Sequence, residues 1–298
     1  MSLLTYQIHE VAPYINWVYF FHAWGFQPRF ATIANIQGCD SCRALWLANM
    51  PVGDRAKAAE AMQLHKEAGR MLAGLEGKVE VRVVFRLCQA NADGDDLLIE
   101  GMRFPLLRQQ TVHAAGEPFL CLSDFIRPAA QGIPDQIGLF AASVSGCDEA
   151  GYADDPYRHL LVQTLADRLA EAGTEKMHEY VRREAWGYAP DEHLSIADLL
   201  AERFQGIRPA VGYPSLPDQS VNFLLNALLD MSQVGITLTE HGAMYPHASV
   251  CGLMMAHPQA RYFSVGKIGE DQLADYARRR GLPVEVMRKF LAANLSYR

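Results

Sequence analysis

One stretch of the 298-residue chain combines residue types able to hold a charged ligand: Gln-Gly-Ile-Arg-Pro-Ala-Val-Gly-Tyr-Pro, Gln205 to Pro214. Gly206 and Gly212 would let backbone come close to a ligand, while Pro209 and Pro214 would stiffen the path. Arg208 offers a planar fork suited to a carboxylate or phosphate, and Tyr213 an aromatic face. The residues fit an anion-and-ring site, and equally a structural loop whose arginine pairs with a nearby acid. A dinucleotide or Walker loop is excluded, because neither GxGxxG nor GxxxxGK[ST] occurs.

Other candidates carry less on their own. Asp124 follows a short apolar run and reads first as a turn or cap residue. Glu171 lies in a helical stretch, where a lone acid is usually solvated. His241, His247 and His257 share a region but match no zinc or iron spacing; there is no HExxH and no GxSxG. Cys39-Asp40-Ser41-Cys42 is a lone CxxC, readable as a redox pair or half a zinc site. With no second CxxC and no preceding βαβ pattern, the expectation is reduced, mostly buried thiols at all six cysteines. Arg278-Arg279-Arg280 falls at a helix C-terminus, where cations complement the dipole.

These residues need elements to hold them. Asp54–Leu75 has apolar residues at helical spacing, and Val79–Leu87 alternates as a half-buried strand. Asn91–Asp95 reads as a turn leading to a return strand at Leu97–Glu100. Pro118–Phe125, Ile137–Val144, Ala248–Met255 and Arg261–Val265 read as further strands. A long helix starts at Asp155-Pro156 and ends before Gly187; shorter helices follow at Ser195–Arg203, Ser220–Met231, Glu270–Arg280 and Val284–Leu291. Regular β–α alternation is missing and no linker is visible. The pattern therefore predicts a single α+β domain over 1–298 with a largely antiparallel sheet. A net charge of -7 gives no basic face for nucleic acid. The N-terminus lacks signal-peptide features and no apolar run could span a bilayer, so a cytoplasmic protein is expected.

From Leu238 the chain reads Leu-Thr-Glu-His-Gly-Ala-Met-Tyr-Pro-His-Ala-Ser-Val-Cys-Gly, then His257-Pro258, Tyr262-Phe263 and Val265-Gly266-Lys267-Ile268. Together with Trp186-Gly187-Tyr188-Ala189-Pro190 and the Gly206–Pro214 loop, this resembles the activation domain of cobalamin-dependent methionine synthase. Tyr14–Trp17, Leu107–Thr111 and Cys121–Phe125 agree more loosely with the same family. The resemblance implies a C-shaped α+β domain with a bent antiparallel sheet. It implies that the domain binds S-adenosylmethionine and presents it to cobalamin on a methionine synthase chain, with flavodoxin or an equivalent reductase supplying the electron. On the family's pattern Arg208 would meet the ligand carboxylate, and Asp124 and Glu171 its ammonium. Ala210, Gly212, Tyr213, Tyr262 and Phe263 would surround the sulfonium and adenine. Gln219 stands where the family carries a histidine, and Cys251 where it carries a serine. No Asp-x-His-x-x-Gly cobalamin motif occurs, so the corrinoid would sit on a separate chain. A module serving another corrinoid methyltransferase, or a sensor, is the alternative.

Overall fold

The computed structural model describes residues 1–36, 39–111, 116–147 and 154–296. In chain order the first elements are β1 (Ser2–Gln7), α1 (Ile8–Val11), α2 (Trp17–Ala23), α3 (Asp40–Asn49) and α4 (Arg55–Leu75). Next come β2 (Glu80–Asp93), β3 (Asp96–Ile99), β4 (Met102–Pro105), β5 (Asp135–Ser145) and α5 (Pro156–Tyr180). The remainder is α6 (Ile196–Leu200), α7 (Val221–Leu229), β6 (Thr237–Leu238), β7 (Met244–Tyr245), β8 (Ser249–Met254), α8 (Glu270–Arg280) and α9 (Val284–Phe290).

β2 organises the sheet. β5 runs antiparallel along one edge, from Glu80 opposite Ser145 to Ala90 opposite Asp135. The other edge is shared: β1 pairs with its first half and β3 with its end, and β4 and β8 extend the two sides. The ladder is antiparallel throughout and curls into a half-barrel with helices against it. Because side chains alternate across a strand, Val81, Val83, Phe85, Phe140 and Ala142 face a core shared with α4 and α5. Val84, Cys88, Ile137, Leu139 and Ala141 face a second core shared with α7. A third, smaller core joins α8 and α9 around Leu273, Tyr276 and Met287.

Local sequence explains the helices that matter for the site. Asp155 caps α5 by accepting from the Arg158 amide at 3.0 Å, with Pro156 in the first turn. Gly173 lets α5 lie hard on β2, since a Cβ there would stand 2.4 Å from Val81 Cγ1. After Tyr180 the helix widens into a π turn, Val181–Ala185.

Several expectations are corrected. Pro118–Phe125 is not a strand: Cys121 makes one isolated bridge to Arg108, and a 3-10 turn follows at Leu122–Phe125. The Asp124 carboxylate takes the Cys121 amide at 2.8 Å, a donor a ladder would otherwise use. Arg261–Val265 is extended without a ladder, because the Phe263 amide donates to Ser215 Oγ and the Val265 amide to the Pro214 carbonyl. The edge strand β1, with only Tyr6 buried, carried too little alternation to read. Cys39 and Cys42 are neither buried nor reduced: both are exposed and joined by a disulfide at the start of α3, outside every core. Cys88, Cys121 and Cys251 are buried free thiols as expected. Among the described residues no helix is long and apolar enough to cross a membrane.

Candidate functional site

The Arg208 segment is fastened to the sheet. Ile207 bridges Met255 and Ala210 bridges Gly252, so the stretch runs beside β8 like a short added strand. The Ile207 amide donates to Met255, that of Met255 returns to Ile207, and that of Leu253 donates to Pro209. Gly206 (φ 86) serves this contact rather than a ligand, because a Cβ would meet the Met255 carbonyl at 2.3 Å. Beyond Ala210 the chain turns, the Gly212 amide donating to the Leu216 carbonyl at 2.8 Å.

Opposite this segment stands α5. Arg208 Nη1 donates to Thr174 Oγ1 at 2.8 Å, and Nη2 to the Glu175 carboxylate. Its backbone amide donates to the Tyr262 hydroxyl at 2.9 Å. One turn earlier, Glu171 accepts from Arg168 at 2.7 Å and from the Tyr213 hydroxyl at 3.0 Å. Between segment and helix lies a cavity of about 790 Å³, within the size range of small-molecule sites. Arg168, Glu175 and Arg208 all line it, and three of their atoms, Arg208 Nε, Arg168 Nε and Glu175 Oε2, are enclosed without a hydrogen-bond partner. Buried polar groups are normally satisfied. These three supply unused donors and an unused acceptor.

Of the residues singled out in the sequence, Glu171, Arg208, Ala210, Tyr213, Tyr262 and Phe263 line this cavity. Gly212 does not line it but forms the turn that presents Tyr213. Asp124 is not brought to it. Its carboxylate is held by both terminal nitrogens of Arg108, at 2.8 and 2.7 Å, and by the Cys121 amide. The two places meet at Phe125, its ring 6.4 Å from that of Phe263, and at Gln109, whose side-chain amide donates to the Ser264 carbonyl at 2.7 Å. Sequence reasoning missed Asn16, Tyr19, Glu175 and Glu202 on the cavity wall. Glu175 could have been found, being four residues after Glu171 and hence on the same helical face. Glu202 had no such signal, since it sits past the end of α6 in a left-handed conformation (φ 56).

The family profile of the vitamin B12-dependent methionine synthase activation domain matches residues 7–281. The chain belongs to this family. Among solved structures it is similar to the crystal structure of the MetH reactivation domain bound to AdoHcy, at 37% identity and a TM-score of 0.84. That match covers 100% of this chain and 91% of the other.

The electrostatics of this activation domain's cavity are lopsided. Three carboxylates, Glu171, Glu175 and Glu202, face two guanidiniums, Arg168 and Arg208. Burial works to depress the Arg208 guanidinium, but the charges around it, Glu175 foremost, outweigh that and raise it. Loss of water, then the Glu175 charge, lifts the Glu202 carboxyl above its usual range. Loss of water and the Glu171 carboxylate push the Tyr213 hydroxyl up to about 12. Behind the wall, buried His178 is driven well below the usual imidazole range by burial and by the Arg182 and Arg208 charges. The activation domain thus offers a fixed guanidinium, a surplus of carboxylate and aromatic rings around one cavity.

Proposed function

We propose that this chain binds S-adenosylmethionine in the α5–β8 cavity. It would present the methyl group to cobalamin on a separate methionine synthase chain, reactivating it with an electron from flavodoxin or an equivalent reductase. The observation that carries the reading is the Arg208–Glu175 pair, which sets a guanidinium and a carboxylate side by side on the cavity wall. An α-amino acid head group carries the complementary charges: its carboxylate completes Arg208, and its ammonium completes Glu175 or Glu171. Tyr213, Tyr262 and Phe263 supply ring faces for a sulfonium or an adenine, an attraction of roughly 0.5–2 kcal/mol per cation–ring contact.

The surplus carboxylate favours a ligand with net positive charge. S-adenosylmethionine carries a sulfonium in addition to its zwitterionic head; the demethylated thioether carries none. Bound, the donor would supply a transferable methyl group on that sulfonium. The residues of this chain act by holding it, Arg208 and the acids fixing the head and the rings the remainder, which is catalysis by positioning. Membership of the activation domain family and likeness to an AdoHcy-bound reactivation domain support the reading.

The test has two arms. Calorimetric titration with S-adenosylmethionine should show saturable binding, and absence of heat sinks the ligand assignment. Mixing the chain with the remainder of a methionine synthase, cobalamin, S-adenosylmethionine and a reductant should yield methylcobalamin. Binding without methylcobalamin sinks the role on a separate chain.

A further inference from the structure

We infer that Cys39 and Cys42 form a thiol–disulfide exchange site, opened by dithiol reductants and closed again by small disulfides. Their sulfurs are bonded and both residues are exposed. The sequence separation is 3. Cross-links restrain the unfolded chain in proportion to the logarithm of the loop they close, so a bridge this short contributes little to stability. Its position suits chemistry better. Cys39 is the N-cap of the ten-residue helix α3, and its Sγ accepts the Cys42 amide at 3.0 Å. Negative charge on that sulfur would be stabilised by the amide and by the helix N-terminus. Arg43 and Lys66 add cations nearby, converging on Asp40 at 3.4 and 3.5 Å.

The two sulfurs differ. Cys42 lines a cleft of about 390 Å³ together with Leu45, Trp46 and Met50. An incoming thiolate therefore reaches Cys42 Sγ from the cleft. The Sγ–Sγ bond breaks, and Cys39 leaves with the electron pair as the stabilised thiolate. The second thiol of the reductant, deprotonated, then attacks the reductant's own sulfur in the mixed disulfide and releases Cys42. The dithiol becomes a disulfide, and the protein pair gains two electrons and two protons. Burial keeps the other core thiols out of this chemistry: it pushes Cys121 up to about 11 and Cys251 up to about 12.

The experiment uses the intact folded protein, alkylated with iodoacetamide and read by peptide mass spectrometry. Cys39 and Cys42 should be protected in the air-oxidised protein, alkylated after dithiothreitol without denaturant, and protected again after oxidised glutathione. At neutral pH, Cys39 in a Cys42→Ser variant should alkylate about tenfold faster than Cys42 in a Cys39→Ser variant, the lower-pKa thiol having more thiolate. Labelling before reduction, resistance to dithiothreitol in the folded protein, or equal rates for the two variants would each overturn the assignment.

Discussion

Two arginine–acid clusters, built from the same residue types, stand on either side of Phe125 and Phe263. Arg108 is saturated: Nε donates to Asp95 at 2.7 Å, Nη1 to the Phe119 carbonyl at 2.6 Å and to Asp124, and Nη2 to Asp124 again. Arg208, on the wall of a 790 Å³ cavity, holds Thr174 and Glu175 and leaves Nε buried with nothing to donate to. Pairing with Asp124 raises the Arg108 guanidinium against burial, as Glu175 does for Arg208. Charge alone therefore does not separate a structural cluster from a binding one. Unsatisfied hydrogen-bonding capacity does: Arg208 Nε has no partner, whereas every Arg108 side-chain nitrogen has one.

The sharpest way to break this contrast is to remove each arginine in turn. Arg208→Ala should weaken S-adenosylmethionine binding by about 2–4 kcal/mol in calorimetry, because a charge-assisted contact is lost and Glu175 is left buried without its cation. Arg108→Ala should instead lower unfolding stability by about 1–3 kcal/mol, stripping Asp95 and Asp124 of their donor. Its effect on ligand affinity should stay within about threefold, since sites without shared partners behave nearly additively. If the two variants exchanged phenotypes, the cavity would be the wrong site.

How much of this was readable in the sequence depends on the range of the interaction. β2, α5 and the α8–α9 pair were legible because strand alternation, an Asp-Pro start and a Gly281 stop are local signals. The Arg208–Tyr213 loop and Tyr262-Phe263 were legible through family motifs. Asp124 was misplaced because its partner, Arg108, lies 16 residues away in the sequence, and nothing local reports that pairing. Asn16 was legible only as part of the loosely matching Tyr14–Trp17 stretch, and in the fold its side chain also caps α2, accepting the Val18 amide at 3.1 Å. Glu202 reaches the cavity by a left-handed backbone that no pattern announces. At Cys39 and Cys42 composition argued for buried thiols, yet a pair starting a peripheral helix has no core to enter.

A second test concerns the scaffold behind Arg208. His178 is fully buried, its Nε2 3.4 Å from the Tyr188 hydroxyl and its ring 5.1 Å from Phe204. Its folded-state pKa lies well below the usual value. As pH falls through roughly 6.5 the unfolded chain takes up this proton and the folded chain does not. Stability is thus complete above that pH and is lost on acidification, by up to about 1.4 kcal/mol per pH unit. His178→Gln should flatten that slope in denaturant titrations between neutral and mildly acidic pH. An unchanged slope would place the acid sensitivity elsewhere, His65 having a pKa depressed in the same direction.

Charge selectivity is a smaller effect. Glu202→Gln removes one of the three cavity carboxylates, and should reduce the preference for S-adenosylmethionine over S-adenosylhomocysteine by about fivefold, roughly 1 kcal/mol. Because the Glu202 carboxyl is raised, the wild-type preference should fade on acidification sooner than an ordinary carboxylate would dictate. The variant should lack that dependence. Equal losses for both ligands would mean that Glu202 shapes the cavity without sensing charge.

The smallest expected change is the most discriminating for the contrast between the clusters. Asp124→Asn keeps the side chain's shape but removes the charge that binds both terminal nitrogens of Arg108. Stability should fall, since Arg108 retains Asp95 and the Phe119 carbonyl but loses its bidentate acid. Affinity for S-adenosylmethionine should move by less than about twofold, because a group in another cluster acts on the ligand only through intervening packing. The available routes are the Phe125–Phe263 ring contact at 6.4 Å and the Gln109 side-chain amide donating to the Ser264 carbonyl at 2.7 Å, and neither is a contact of the Asp124 carboxylate. A tenfold loss of affinity, with Arg108→Ala doing the same, would show that the two clusters form one continuous site when the ligand is bound.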